Sequence, residues 1–156
     1  MLNLNKTLVD FLEQAIECYI MTLPQQYALP TQIKDFQQGY KIDANTGKNI
    51  SNEQEGGFHP SWYIIAKNYF ADPIFIDSRE QGDNYPVYFA FCGQGKWQPI
   101  LISASLSKFM DQLNGIKKLE NDSASLLNYL AANTDITNEF WQEVYETVAD
   151  SNNDDD

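Results

Sequence analysis

The side chains that most often carry catalysis are sparse in this sequence. His59 is the only histidine, and neither cysteine stands at helix or hairpin spacing from it. A serine hydrolase would need His59 as its base, and the sequence has no Gly-x-Ser-x-Gly motif. Cys18 and Cys92 fall within apolar patterns, which predicts buried free thiols rather than a disulfide or a nucleophile. We therefore expect a loop or packing role for His59, and no metal site.

Four carboxylates lie on and just after one short apolar run. Asp72 and Asp77 flank that run, and Glu80 and Asp83 follow in the next loop. Because paired carboxylates serve as general acid and base in hydrolases, one hypothesis is a small hydrolase that uses Asp72, Asp77 or Asp83. The alternatives are that Asp72 shapes the turn before Pro73 and Asp77 ends a strand, or that the group binds a partner.

The segment Gly93-Gln-Gly95 follows a predicted strand, as a dinucleotide-binding motif would. Gln98 stands where the third glycine of that motif belongs, and Pro99 would obstruct the helix that must follow. The run from Trp97 to Ile102 has the composition of another strand, so the glycines predict a tight hairpin. No Walker-type loop is present, and we expect no cofactor.

Four short apolar runs must form the sheet that positions these residues. They are rich in Ile, Val, Phe, Tyr and Trp, and they cover residues 62–66, 72–77, 86–92 and 97–102. Because the runs are almost wholly apolar, we expect both faces of the sheet to be covered. Residues 67–71 are too few for a crossover helix, which predicts antiparallel pairing of the first two strands.

Helical patterns lie on both sides of the strand block. The predicted helices cover about residues 5–21 and 23–27, a third helix that begins at Ser103 or Ser105 and runs to about 114, a fourth that begins at Asp122 or Ser123 and runs to about 132, and a last one at 137–149. Gly115 is the expected C-terminal cap of the third helix, and Thr137 is the expected N-terminal cap of the last helix. An alternating segment at 39–43 is a further strand candidate.

The composition predicts one folded domain. The 156 residues are 43% hydrophobic and 13% aromatic, enough to bury a core. The net charge of −12 disfavours direct nucleic-acid binding, which needs clustered Lys and Arg. No apolar run approaches the ~18–20 residues of a membrane span, and the N-terminus lacks a signal-peptide pattern. We therefore expect a cytoplasmic protein that binds neither nucleic acid nor membrane.

The C-terminal end is strongly acidic. Glu139, Glu143, Glu146 and Asp150 recur at i, i+4, i+7 and i+11, so they form one stripe on the last predicted helix. The stripe is either a solvated outer face or a docking site for a basic partner, for which a surface that tolerates repulsion between like charges is a candidate. Residues 1–149 are predicted to be a single domain, followed by a flexible acidic tail at 150–156.

Several short motifs follow one another in and around the strand block. They are Gly39-Tyr-Lys-Ile-Asp43, Pro60-Ser-Trp62, Ala71-Asp-Pro-Ile-Phe-Ile-Asp77, Pro86-Val-Tyr88, Gly93-Gln-Gly-Lys-Trp97-Gln-Pro99 and Ser105-Leu-Ser-Lys-Phe109. This ordered set, over about residues 38–113, resembles the SUKH superfamily, which includes a fungal cell-wall-synthesis regulator and many bacterial immunity proteins. The chain departs from the family pattern after Leu23-Pro24…Tyr27, where Pro30 interrupts the helix and no Asn-Gly-Gly follows, and at 67–70, which reads Lys-Asn-Tyr-Phe.

The resemblance implies an α+β fold in a single domain, with a central, mainly antiparallel twisted sheet, an N-terminal helix and a helical C-terminal third. It also implies no cofactor and no catalysis. For bacterial members it implies binding to, and neutralising, a toxin that is often a nuclease. A regulatory or scaffold adaptor with a housekeeping partner is the alternative within the same fold.

We expect a basic protein partner, because the chain is acidic and nucleases that grip phosphates are basic. The residues expected to bind that partner are Asp72, Asp77, Glu80, Asp83, Glu139, Glu143, Glu146 and Asp150.

Overall fold

The computed structural model describes residues 2–154 and has a five-stranded antiparallel sheet at its centre. Each strand pairs with the next one along the chain, in the order β1 (Gln26–Tyr27), β2 (Trp62–Lys67), β3 (Pro73–Asp77), β4 (Val87–Phe89) and β5 (Ile100–Ser103). The helices are α1 (Lys6–Gln14), α2 (Leu106–Leu119), α3 (Ser123–Asn133) and α4 (Glu139–Asp154). The single α+β domain with terminal helices is confirmed. Across residues 2–154 no helix is both long and apolar enough to cross a membrane.

Both faces of the sheet are covered, as the apolar strands predicted. Along β3, Ile74 and Ile76 join a large core to which all four helices contribute, whereas Phe75 points to the opposite face. That opposite face carries a small aromatic cluster in which Phe58 packs between Trp62 and Trp97, at centroid distances of 5.1 and 5.6 Å. The segments that supply Phe58 and Trp97 are loops, so helices cover one face and loops cover the other.

The N-terminal third differs most from the sequence-based expectations. The helix expected to reach Met21 ends at Gln14, because Ala15 adopts a left-handed conformation (φ 41°) and its N–H donates to Phe11 O. The short helix expected at 23–27 is wrong: Gln26–Tyr27 is strand β1, paired with Lys67 and Ala66 of β2. The strand expected at 39–43 is only a pair of isolated bridges made by Ile42.

Three boundaries in the C-terminal half also differ. The hairpin expected at Gly93–Lys96 is not tight, because β4 ends at Phe89 and β5 begins at Ile100. Gly115 does not end α2, which runs on to Leu119; the Tyr129 ring of α3 packs so close to Gly115 that a Cβ there would lie 2.2 Å from it. Asn138, rather than Thr137, caps α4 by accepting from the N–H of Phe140 (2.9 Å).

The acidic end is helical over most of its length. Helix α4 extends through Asp154 and so includes the first part of the segment 150–156 that was expected to be a tail. Asp155 and Asp156 lie outside the described residues, and the flexibility of this segment stays a prediction, as does the domain boundary at 149.

The buried side chain of Gln37 forms the hydrogen bonds that a neighbouring strand would otherwise form with Ile64 of β2. Its Oε1 accepts from the N–H of Ile64 (2.8 Å), and its Nε2 donates to the carbonyl of Ile64 (2.9 Å) and to that of Ile33 (2.8 Å). Strand β1 is too short to reach Ile64, since it pairs only with Ala66 and Lys67. Gln37 therefore satisfies backbone groups that would otherwise be buried without partners.

Replacing Gln37 by leucine should destabilise the protein by roughly 2–4 kcal/mol, because the N–H and the carbonyl of Ile64 both lose their partner in a dry environment. The measurement is urea unfolding followed by circular dichroism. Gln38→Leu is the control, because Gln38 is exposed, and it should change stability by less than about 0.5 kcal/mol. Equal effects of the two substitutions would contradict this role for Gln37.

Candidate partner-binding surface

The eight acidic residues expected to bind a partner fall into two groups at different places on the sheet. Asp77, Glu80 and Asp83 lie at and beyond the C-terminal end of β3, on a 3₁₀ segment at 78–83. Asp72 lies at the other end of β3, and its charge acts on Glu143 of α4. Asp72 is therefore separated from Asp77, Glu80 and Asp83, and it lies near enough to Glu143 for its charge to raise the pKa of that residue.

Asp72 is an internal hydrogen-bond acceptor. It is buried, and its Oδ1 accepts from the N–H of Cys92 (2.8 Å) while its Oδ2 accepts from Asn68 Nδ2 (3.1 Å). Its own N–H donates to Asn68 Oδ1 (2.9 Å). The carboxylate thus joins the β2–β3 turn to the connection after β4, which agrees with the turn-shaping alternative more closely than with direct partner contact.

Asp77 is also buried, and it forms an ion pair with Arg79. Arg79 Nη2 lies 2.6 Å from Oδ2, and the Arg79 N–H and Nε donate to Oδ1 at 2.9 and 3.0 Å. Burial by itself raises the pKa of Asp77, but the hydrogen bonds from Arg79 and Ser61 outweigh it and place the pKa below its ordinary value. Asp77 is therefore a charged structural group, with its acceptor capacity largely in use.

Glu80 and Asp83 differ in how freely they face solvent. Glu80 is half-buried and accepts from the hydroxyl of Tyr88 through both carboxylate oxygens, at 2.9 and 3.1 Å. Asp83 is exposed. Of the group at this end of β3, only Asp83 presents an unobstructed carboxylate.

The distance along β3 separates Asp72 from Asp77. Five steps of extended chain at ~3.3 Å per residue put their backbones about 16 Å apart. Paired carboxylates that act together in glycoside hydrolysis stand ~5–9.5 Å apart. Both side chains also point to internal donors, so this pair does not form the acid–base site of the hydrolase hypothesis. Across residues 2–154, no three His, Cys, Asp or Glu side chains cluster in a way that could hold a metal ion.

The two cysteines are free thiols. Cys18 is buried as expected, and burial raises its pKa to about 11. Cys92 is only half-buried, and its Sγ lies 3.1 Å from the carbonyl of Ala71. Burial, followed by the charge of Asp72, raises the pKa of Cys92 to about 11, so neither thiol has the lowered pKa of a nucleophile.

The acidic stripe of α4 faces outward without compensating cations. Glu139, Glu146 and Asp150 are exposed, Glu143 is half-buried, and none of them forms an ion pair with any residue in 2–154. Partial burial, then the charges of Asp72 and Glu146, raise the pKa of Glu143 above its ordinary value of 4.5. The ionised form of Glu143 is therefore disfavoured in the folded protein.

A rigid turn lies beside Asp72, between β2 and β3. Buried Asn68 holds it by accepting from the N–H of Phe70 (3.0 Å) and of Asp72, and by donating to the carbonyl of Thr22 (3.4 Å). Ala71 has φ 65°, a conformation that costs a non-glycine residue energy. Its carbonyl accepts from the Tyr40 hydroxyl, so several hydrogen bonds together maintain the strained residue.

This turn presents two large aromatic side chains to solvent. Tyr69 is 68% exposed and Phe70 is 52% exposed, and their rings meet edge to face at 5.4 Å. The N–H of Tyr69 donates to the carbonyl of Met21 (3.1 Å), whose side chain is also exposed. We call Met21, Tyr69 and Phe70 the aromatic turn patch; adjoining apolar groups of this kind on a surface mark interaction sites.

Tyr69 and Phe70 were not among the residues that the sequence pattern predicted to bind a partner. The available signal was that 67–71 is too short for anything but a turn between strands, and a turn exposes its side chains. Two adjacent aromatics in such a turn, at a place where the sequence departs from the SUKH pattern, would have identified the patch.

The chain matches a family model described as the SMI1 / KNR4 family (SUKH-1), over residues 2–112. Because this match covers well over half of the sequence, the chain belongs to that family. The match confirms the resemblance in the strand block and extends it to the N-terminal residues. Searches among curated proteins and among solved structures each found no match.

Replacing Glu143 by glutamine should stabilise the protein at neutral pH by roughly 0.2–0.5 kcal/mol, because it removes a like charge from the stripe. The raised pKa sets the sign: the charged form is disfavoured only in the folded state, so the cost exists above the folded-state pKa and vanishes below 4.5. Thermal unfolding at pH 7 and at a pH below 4.5 measures it.

Glu13→Gln on α1 is the control for this prediction, since Glu13 is exposed and lies outside the stripe. A gain for Glu143→Gln that is the same at both pH values would contradict a charge origin.

Proposed function

We propose that this chain is an immunity protein, which binds and neutralises a basic protein toxin, and that it binds through the aromatic turn patch and the acidic stripe of α4. The observation that carries the proposal is a rigidly held turn with exposed Tyr69 and Phe70, together with an acidic stripe that has no ion-pair partner among residues 2–154. Membership of the SUKH-1 family, whose general role is immunity or regulation without catalysis, supports it.

The aromatic turn patch has the composition of an interface centre. Tyrosine, tryptophan and arginine dominate the energetic centres of interfaces, and exposed phenylalanine supplies further apolar area. Because the hydrogen bonds of Asn68 and Asp72 already fix the turn, little conformational entropy is lost when a partner covers it. The patch would therefore supply affinity without a folding step.

The acidic stripe has the composition of a charged rim. Carboxylates without internal partners attract a basic surface and raise the association rate. A nuclease is a suitable target class, since enzymes that grip phosphates carry clustered Lys and Arg. An acidic surface can occupy such a site and exclude nucleic acid from it.

The product of the neighbouring gene is the first partner to test. Expressed alone it should be toxic, and co-expression with this chain should restore growth and yield a complex in a pull-down. A bound but non-toxic neighbour would favour the regulatory or scaffold adaptor instead. A neighbour that is neither toxic nor bound would remove the support for immunity.

Truncating Tyr69 or Phe70 to alanine should weaken the complex by at least about 2 kcal/mol, roughly 30-fold in Kd, as for aromatic interface centres. Thermal stability should stay unchanged, because both side chains are more than half exposed. Isothermal titration with the purified partner measures the affinity. Leu29→Ala, at a residue 57% exposed outside the patch, is the control, and an equal loss for that variant would contradict the assignment.

Reversing two charges of the stripe, with Glu139→Lys and Glu143→Lys, should slow association and reduce its dependence on salt. Stopped-flow association rates between about 50 and 500 mM salt test this. The matched control is Glu53→Lys with Glu55→Lys, which makes the same change in net charge at exposed positions of the loop before Phe58. Rates that do not respond to salt, or that respond equally in the two double variants, would exclude the stripe from the interface.

A further inference from the structure

A pocket of about 560 Å³ lies between the segment before α1, the chain from 33 to 51 and the start of β2. Its volume is within the range of small-ligand sites. The pocket is separate from the proposed partner surface, because no residue of the aromatic turn patch or of α4 lines it. Much of its wall is apolar and is formed by Leu2, Leu4, Ile33, Ile42, Pro60 and Tyr63.

The ammonium group of Lys41 is fixed in the wall of this pocket. Its Nζ donates to the carbonyl of Pro60 (2.7 Å) and lies 3.5 Å from the centre of the Tyr63 ring. Pro60 and Tyr63 both line the pocket, as does Lys41 itself, so the ammonium that contacts them lies at the same wall. The backbone is also held, because the N–H of Lys41 donates to the carbonyl of Gln37 (3.0 Å) and its carbonyl accepts from the N–H of Ile50 (2.8 Å).

No carboxylate among residues 2–154 neutralises this ammonium. Lys41 is only 8% exposed, and the ion pairs of the described chain are formed by other residues. Burial lowers the pKa of Lys41 to about 8, with no opposing effect from a nearby carboxylate, and the group is still mostly protonated at neutral pH. Buried charges are nearly always paired, so this one requires an explanation. An ammonium has three N–H donors, and the carbonyl and the ring engage two of them, which leaves one for a ligand.

The rest of the lining adds positive charge and no negative charge. Lys34, which is exposed, is the other charged residue there, and the described residues that line the pocket include no Asp or Glu. The uncharged polar side chains are engaged with the protein: Gln37 bonds to Ile64, and Asn49 Oδ1 accepts from the hydroxyl of Ser51 (2.6 Å). In a chain whose net charge is −12, this pocket is therefore a local site for an anion.

Charge and wall composition together define the ligand. One buried ammonium matches one singly charged anion, whereas a phosphate dianion would bring more charge and more oxygens than the pocket has buried donors for. A carboxylate would accept a charge-assisted hydrogen bond from the free N–H of Lys41. The apolar wall would cover a hydrocarbon group, which gains free energy by leaving water.

We propose that this pocket binds a small molecule with an apolar tail and one carboxylate, in which the carboxylate accepts from Lys41 Nζ and the tail packs against the apolar wall. The proposal goes beyond toxin binding and does not depend on it. Lys34, at an exposed position of the lining, attracts the same anion from solution.

Titration of the ¹⁵N-labelled full chain with octanoate, followed by NMR, tests the proposal. The backbone amides of Lys41, Ile42 and Tyr63 should shift in a saturable way. Octanamide has the same tail without the charge, and acetate has the charge without the tail, so each should bind at least about tenfold more weakly. A response to octanoate that does not saturate would overturn the proposal and leave water as the partner of Lys41. Equal binding of octanamide or of acetate would also overturn it, because the carboxylate or the tail would then contribute nothing.

Lys41→Met removes the charge and keeps an unbranched side chain against Tyr63. Octanoate should then bind no more tightly than octanamide. Lys108→Met is the matched control, because Lys108 is at an exposed position of α2 outside the pocket, and this variant should keep the full preference for octanoate. A folded Lys41→Met chain that still prefers octanoate would overturn the proposal.

A second variant leaves the buried residue in place, so it decides the question even if Lys41→Met does not fold. Lys34→Glu puts a carboxylate at an exposed position of the lining, where the unfolding midpoint should not change. The Kd for octanoate should rise at least about threefold while that for octanamide stays the same. Lys108→Glu makes the same change in net charge outside the pocket and should leave both values unaltered. Equal losses in the two variants would show that only the overall charge matters, and they would contradict the proposal.

Discussion

The buried carboxylate of Asp72 is the constraint on which the proposed binding surface depends. It accepts from Asn68 and from the N–H of Cys92, and so it ties the β2–β3 turn to the connection after β4. A strained residue such as Ala71 persists only where its surroundings over-determine it. Asp72 and Asn68 supply that surrounding, and the backbone that carries Tyr69 is held in place as a consequence. Asp72, which the sequence offered as a candidate catalytic carboxylate, instead stabilises the turn that carries the aromatic turn patch.

The same buried charge explains why the acidic stripe is costly. Glu143 lies within electrostatic reach of Asp72, so its ionised form is disfavoured by burial and by a carboxylate that the fold cannot give up. A basic partner would relieve this repulsion, and that is the physical reason for including α4 in the proposed partner surface.

Local patterns in the sequence predicted the parts of this fold that local chemistry determines. The strands around Trp62 and Phe75 were identifiable because their β-branched and aromatic residues strongly favour the strand conformation. Strand β1 was not, since Gln26 and Tyr27 become a strand only by pairing with β2, about forty residues further along the chain. The prediction that Gly115 ends α2 was wrong for a related reason. A glycine near a helix end usually caps the helix, but here the close ring of Tyr129 from α3 requires a residue without a Cβ. Contacts distant in sequence decided both cases.

The positions of the family motifs indicate where specificity must lie. Trp62 and Trp97 pack with Phe58 beneath the loops, and so they determine the fold rather than the partner. Tyr69 and Phe70 lie outside both core clusters, and α4 lies beyond the family match. Substitutions at exposed positions such as these change stability little, whereas changes in the aromatic cluster disturb the core. The proposed partner surface, made of the aromatic turn patch and the outward face of α4, is therefore free of the packing that constrains Trp62 and Trp97.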